Sequence, residues 1–181
     1  MVTHKFGNAD NLFVNVTTDN DTYVLGNGQD DIVDLQLHTG DTVILGNGAG
    51  DAVIALLASN NIITLSNGDH DFVNLYSSTG DIVTFGNGDF VSNFDTSPTF
   101  INNAIITFGN GNNDIAFIPS GSGNVLTVGS GNNDQVIDSG TGDKVTVGNG
   151  NGDVVFTNVS DTLTVGNGNN DQIFSTTGGN T

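Results

Sequence analysis

Residues 41–68 read DTVILGNGAGDAVIALLASNNIITLSNG, and this stretch holds one whole unit of the chain's organisation. An alternating run, Asp41-Thr-Val-Ile-Leu45, leads into Gly46-Asn47-Gly48; a carboxylate follows at Asp51, then a second apolar run, a second turn and a new alternating run before Ser66-Asn67-Gly68. Alternation of period two puts Val43 and Leu45 on one side of an extended segment and Thr42 and Ile44 on the other, the pattern of a half-buried strand. The turn residues are Gly, Asn and Asp, which build turns and disfavour helix interiors.

Outward from this stretch the unit repeats. The other marks are Gly26-Asn27-Gly28, Gly86-Asn87-Gly88, Gly109-Asn110-Gly111, Gly129-Ser130-Gly131, Gly148-Asn149-Gly150 and Gly166-Asn167-Gly168, giving successive steps of 20, 20, 20, 23, 20, 19 and 18 residues. Gly7-Asn8-Ala9 is a worn first copy. A period near 20 is the mark of a solenoid, so the sequence predicts an all-β fold: a parallel β-solenoid of about nine coils, two short strands per coil, forming a single domain over residues 1–181. Two inward columns precede the marks, Tyr23 through Leu163 and Leu25 through Val165, and both are wholly apolar; a third follows them, with Val33, Val53, Val73, Val91, Ala116, Val136, Val155 and Ile173. The long step between Gly86 and Gly109 reads as an irregular loop insertion near 92–103, where Pro98 needs no ladder partner.

Charge narrows the function classes. All 20 acidic residues are Asp, the only basic ones are Lys5 and Lys144, and the net charge is −18. Such a surface repels phosphate, which argues against nucleic acid and anionic lipid, and attracts multivalent cations. With no Cys there are no disulfides or thiolate sites. No apolar run reaches the length of a membrane span, and Met1 to Phe6 lack the basic start and apolar stretch of a cleavable signal.

The candidate site chemistry sits at fixed distance from the marks. Five residues beyond each first glycine stand Asp31, Asp51, Asp71, Asp114, Asp134, Asp153 and Asp171, while the irregular unit offers Asp89. The glycines before them, Gly26, Gly28, Gly46, Gly48, Gly68, Gly109, Gly111, Gly129, Gly131, Gly148, Gly150, Gly166 and Gly168, supply pliable backbone whose carbonyls can join the carboxylates. Hard oxygen donors without recurring His or Cys suit Ca²⁺, which takes such ligands at about 2.3–2.6 Å. At the second turn the matching residues are Asp41, Asp81, Asp143 and Asp161, weakening to Asn61, Ala104 and Asn124. The expectation is one row of calcium ions on the Gly-Asn-Gly side and a second side empty or partly filled. The competing reading makes the same residues turn builders, with Asn27, Asn47, Asn67, Asn87, Asn110, Asn149 and Asn167 stacked as an amide ladder.

Gly46-Asn-Gly-Ala-Gly-Asp51-Ala-Val53 and Gly148-Asn-Gly-Asn-Gly-Asp153-Val-Val155 resemble the glycine- and aspartate-rich nonapeptide of the RTX, or haemolysin-type calcium-binding, repeats. The resemblance covers nearly the whole chain. It implies a right-handed parallel β-roll with calcium held between coils and type I secretion without an N-terminal signal. The chain departs from the family in its longer coil and in its second turn, which reads His38-Thr-Gly-Asp41 or Ser78-Thr-Gly-Asp81 instead of repeating the glycine-rich loop.

Two outward faces complete the reading. Val24, Ile44, Thr64, Thr84, Thr107, Thr127, Thr146 and Thr164 form a column beside Thr22, Thr42, Ile62, Ile82, Ile105, Val125, Lys144 and Thr162. This resembles the flat Thr-rich faces of ice-binding solenoids, although Thr also suits any exposed strand. On the opposite strand Ile54, Phe117, Ile137, Phe156 and Phe174 form an apolar strip that needs a partner or a covering loop, and open end rungs favour stacking of molecules end to end. His4, His38 and His70 stand at different repeat positions, and no Ser, His and Asp set suggests catalysis. The sequence therefore points to a non-enzymatic, secreted or cell-surface calcium-binding solenoid serving as matrix, adhesin or filament component, with ice binding as the alternative and a module of a larger protein as a further possibility.

Overall fold

The computed structural model describes residues 1–87, 100–158 and 160–176. Val91, Asp89 and Pro98 lie outside this range. The described residues form strands and turns and no helix, and successive coils stack in parallel as the sequence predicts. One side is a nine-stranded parallel sheet running from Thr3–Lys5 through Thr22–Val24, Thr42–Leu45, Ile62–Leu65, Ile82–Phe85, Ile105–Thr107, Val125–Val128 and Lys144–Val147 to Thr162–Val165. Nine strands joined in sequence make eight complete turns of about 20 residues. The facing side has two four-stranded blocks, Phe13–Asn15 to Phe72–Tyr76 and Ile115–Ile118 to Gln172–Ser175.

Register follows the repeat. Val43 pairs Ile63, Leu45 pairs Leu65 and Thr64 pairs Thr84, so each column of the sequence becomes a column of the sheet. Between the two walls the inward side chains form the core: Val53, Ala55, Ala58, Ile63 and Leu65 of one coil are all essentially inaccessible. Burying a side chain such as Ile63 stabilises by about 1.5–3 kcal/mol, but its contacts come from the coils above and below, so stability belongs to the stack. Phe85 and Phe108 show the coil spacing directly, their rings stacked with centroids 5.2 Å apart.

A third, narrow ladder runs along the second turn, which two strands per coil did not anticipate. Thr39, Ser59, Thr79 and Asn102 bridge in succession, and Ile101–Asn102 pairs with Gly121–Ser122 before Ser122 bridges Thr141. Of the insertion expected near 92–103, residues 92–99 lie outside the described range, and Ile101, fully buried, belongs to the stack. The outward face of the nine-stranded sheet carries no carboxylate, and both lysines stand on it, Lys5 opposite Val24 and Lys144 opposite Val125. On the other wall Phe117, Ile137, Phe156 and Phe174 stack on one another along the sheet, with Phe156 and Phe174 parallel at 4.7 Å, and only these last two are strongly exposed.

Candidate metal-binding corners

At both corners the chain turns through one residue of left-handed backbone, which immediately precedes the Asp or Asn of the file except at Leu12 and Ala104. At the glycine-rich corner these are Asn11, Asp30, Gly50, His70, Asn113, Asn133, Gly152 and Asn170; at the second corner they are Asn20, Gly40, Asn60, Gly80, Asn103, Gly123, Gly142 and Ser160. Asn, Asp and Gly tolerate this conformation best, which accounts for the turn chemistry and gives His70 a structural place. The turn then drives the following side chain inward. Asp31, Asp51, Asp71, Asp114, Asp134 and Asp153 are buried, and Asp171, on the last described coil, is partly exposed.

Apart from Asp114, whose two oxygens meet no donor, these carboxylates reach back one coil. Asp51 Oδ1 accepts the amide of Asp31 at 3.0 Å, Asp71 that of Asp51 at 3.1 Å, Asp134 that of Asp114 at 3.0 Å, Asp153 that of Asp134 at 3.0 Å and Asp171 that of Asp153 at 3.2 Å. The asparagines of the marks reach the other way: Asn27 Oδ1 accepts the amide of Asn47 at 2.9 Å and Asn149 that of Asn167 at 2.8 Å. The amide ladder is therefore present beside the carboxylate file. The two have opposite polarity, so every corner is bonded to both neighbouring coils.

The glycines of the marks have a separate reason. A Cβ on Gly48 would lie 1.6 Å from the carbonyl oxygen of Gly28 and 3.0 Å from Asp51 Oδ2; on Gly150 it would lie 1.6 Å from Gly131 O and 2.8 Å from Asp153 Oδ2. Coils meet here backbone to backbone, with no room for a side chain. The same contact turns the carbonyls of Gly28 and Gly131 onto the next coil's glycine, so the atoms left facing inward without a partner are carboxylate oxygens. Among the described residues Oδ2 of Asp31, Asp51, Asp134 and Asp153 is buried and meets no hydrogen-bond donor.

Burial accordingly dominates the electrostatics. It pushes the Asp51 and Asp134 carboxyls up to about 6 against the smaller lowering effect of their amide bonds, and Asp114 up to about 7 with the Asp134 charge adding to it. Asp41, Asp81, Asp143 and Asp153 are also raised, again by burial first. Asp21 goes the other way, to about 2, because Thr18 Oγ1 and the amide of Val2 donate to it. A buried carboxylate without a cation or several donors avoids ionising, since desolvation disfavours its charged form.

At the second corner Asp41, Asn61, Asp81, Asn124, Asp143 and Asp161 form the corresponding file, and all are buried. Here amide oxygens stand in for carboxylates: Asn61 Oδ1 accepts from Asp41 N at 2.9 Å, and Asn124 Oδ1 from Ala104 N at 3.0 Å. This corner also holds the three-carboxylate group found among the described residues. Asp138, Asp143 and Asp161 each offer an oxygen, all within 4.8 Å of one another, and all three side chains are buried. Asp143 and Asp161 are among the ligands expected from the sequence; Asp138 is not, though aligned repeats show a carboxylate in a column that holds Leu35, Ala55, Leu75 and Ile118 before it and Thr157 and Ser175 after it.

No family model, curated protein or solved structure matches this chain. The resemblance to the RTX repeats accordingly stays one of pattern, and function must be argued from the corners themselves.

Proposed function

We propose that the protein is a structural β-solenoid of the cell exterior, without enzymatic activity, whose buried aspartates are neutralised by calcium. The supporting observation is the placement of charge. Among the described residues twelve aspartates are buried, while both lysines stand on the outward sheet face and the ion pairs there are those of Asp21 with Met1 and His4 and of Asp19 with His38. A buried ion costs several kcal/mol unless compensated. Hard carboxylate oxygens facing inward without donors at Asp31, Asp51, Asp134, Asp153, Asp41 and Asp143 suit a hard divalent cation. Partly satisfied sites of this kind fit the millimolar calcium found outside cells better than the trace levels inside, and the stack offers a rigid, extended body for a matrix, adhesin or filament role.

Calcium that binds only the folded chain raises its stability by mass action, by about 2.7 kcal/mol for each site held at a hundredfold excess over Kd. The test is thermal unfolding followed by circular dichroism in calcium and in EDTA at neutral pH. A melting temperature indifferent to calcium removes the proposal.

A second reading, ice binding, is favoured by one observation. Thr64, Thr84, Thr107, Thr127, Thr146 and Thr164 stand in register on the outward face of a continuous parallel sheet. Thermal hysteresis abolished by Thr107→Tyr supports it; negligible hysteresis in the parent protein ends it.

A further inference from the structure

We propose that Asp138, Asp143 and Asp161 form a discrete calcium-sized cation site at the second corner, distinct from the file beside the glycine marks. The proposal shares with the reading above only the identity of the ion. It begins with a carboxylate in an interior column: Asp138, 3% exposed, follows Leu35, Ala55, Leu75 and Ile118 along the stack and precedes Thr157 and Ser175. An interior carboxylate there has no role in the side-chain-to-amide file. Its Oδ1 accepts from Gly140 N at 2.9 Å, and its Oδ2 meets no donor, as does Oδ2 of Asp143.

Space has been cleared for these oxygens. Gly140 follows Gly121 in the column of the narrow third ladder that Ala58, Ser78 and Ile101 occupy in earlier coils. A Cβ on Gly140 would lie 2.2 Å from Asp143 Oδ2 and 3.1 Å from Asp138 Oδ1, so the carboxylates fill the volume a side chain would take. The second members of the group are held from outside: Asp143 Oδ1 accepts from Asn124 N at 2.7 Å, and Asp161 accepts from Asp143 N at 3.0 Å and from Asn158 N at 2.9 Å. Three oxygens within 4.8 Å of one another can share a hard divalent cation such as Ca²⁺, whose oxygen distances are about 2.3–2.6 Å. A surface cavity of about 330 Å³ lined by Ile137, Phe156, Thr157, Asn158 and Thr176 reaches Asp138 and gives the ion a way in. Burial and the neighbouring Asp143 charge push the Asp138 carboxyl up to about 8, so an ion there competes with a proton.

Calcium chloride titrated calorimetrically into the EDTA-stripped full chain tests this, together with melting in calcium and in EDTA. Asp138→Leu should lose one bound calcium per chain, melt higher than the parent in EDTA and melt lower in calcium, a crossing of about 3 °C or more in each direction. Asp138→Asn reads the same stoichiometry if the leucine variant does not fold. Unchanged stoichiometry, or a melting gain equal in calcium and EDTA as expected of a proton shared between Asp138 and Asp143, overturns the site. Asp51→Asn separates the two proposals. Calcium stabilising the parent and Asp138→Leu equally defeats this site and leaves the wider reading standing; calcium lost with Asp138 alone and indifferent to Asp51 does the reverse.

Discussion

The two corners of each coil carry the same hydrogen bond by different means. Beside the glycine marks the file from Asp31 to Asp171 is all carboxylate wherever it is described; across the coil it alternates Asp41, Asn61 and Asp81, lapses at Ala104 and resumes at Asn124. Asn61 and Asn124 accept the neighbouring amide as well as any aspartate does, at 2.9 and 3.0 Å. The ladder therefore requires an acceptor and not a charge. The negative charge of the glycine-rich corner is a separate property, which hydrogen bonding alone leaves unexplained.

The largest expected effect divides charge from ladder through pH. Burial holds Asp41, Asp51, Asp81, Asp114, Asp134, Asp138, Asp143 and Asp153 above the usual carboxylate range. Between about pH 4 and 8 the folded chain thus keeps protons that the unfolded chain has released, and stability falls as pH rises through that window. In EDTA the melting temperature should drop by about 10 °C or more from pH 5 to pH 8, and millimolar calcium should flatten the slope. Equal slopes in both would mean that the corners hold protons and no ions.

Backbone contact comes next. Gly48→Ala forces a Cβ onto the Gly28 carbonyl and should cost about 3 kcal/mol or more, measured by urea unfolding. Gly142→Ala, where nothing lies within 4 Å but φ is +69°, should cost only about 1–2 kcal/mol. The comparison between corners is sharpened by a single position. Asp51→Ala strands the Asp31 amide and should cost about 1–3 kcal/mol, while Asp51→Asn keeps the acceptor and should raise the melting temperature in EDTA at pH 8. The smallest change is at the exposed amide ladder, where Asn27→Ala should cost about 0.5–1 kcal/mol because water replaces the partner lost to the Asn47 amide.

The coil, its period and its three inward columns were legible in the sequence because side-chain burial in a solenoid repeats with the chain itself. Val43, Ile63 and Val83 could be assigned without a structure for that reason. The third ladder was not, since Thr39, Ser59 and Thr79 each stand as a single bridged residue in their coil and leave no alternation to read. The acidic file was visible as spacing. Whether its oxygens point at amides or at an ion depends on rotation about one bond, which spacing does not encode. Asp138 escaped because it sits at a core position two residues past a reliable column, and a repeat search rewards likeness, not the exception.

The nine-stranded sheet has one more consequence. With every described carboxylate off its outward face and Lys5 and Lys144 on it, the described body is electrically two-sided: a broad neutral to weakly positive plank backed by anionic rims. In solution of low ionic strength such a body carries a transverse dipole, so that it meets any negatively charged plane broadside first.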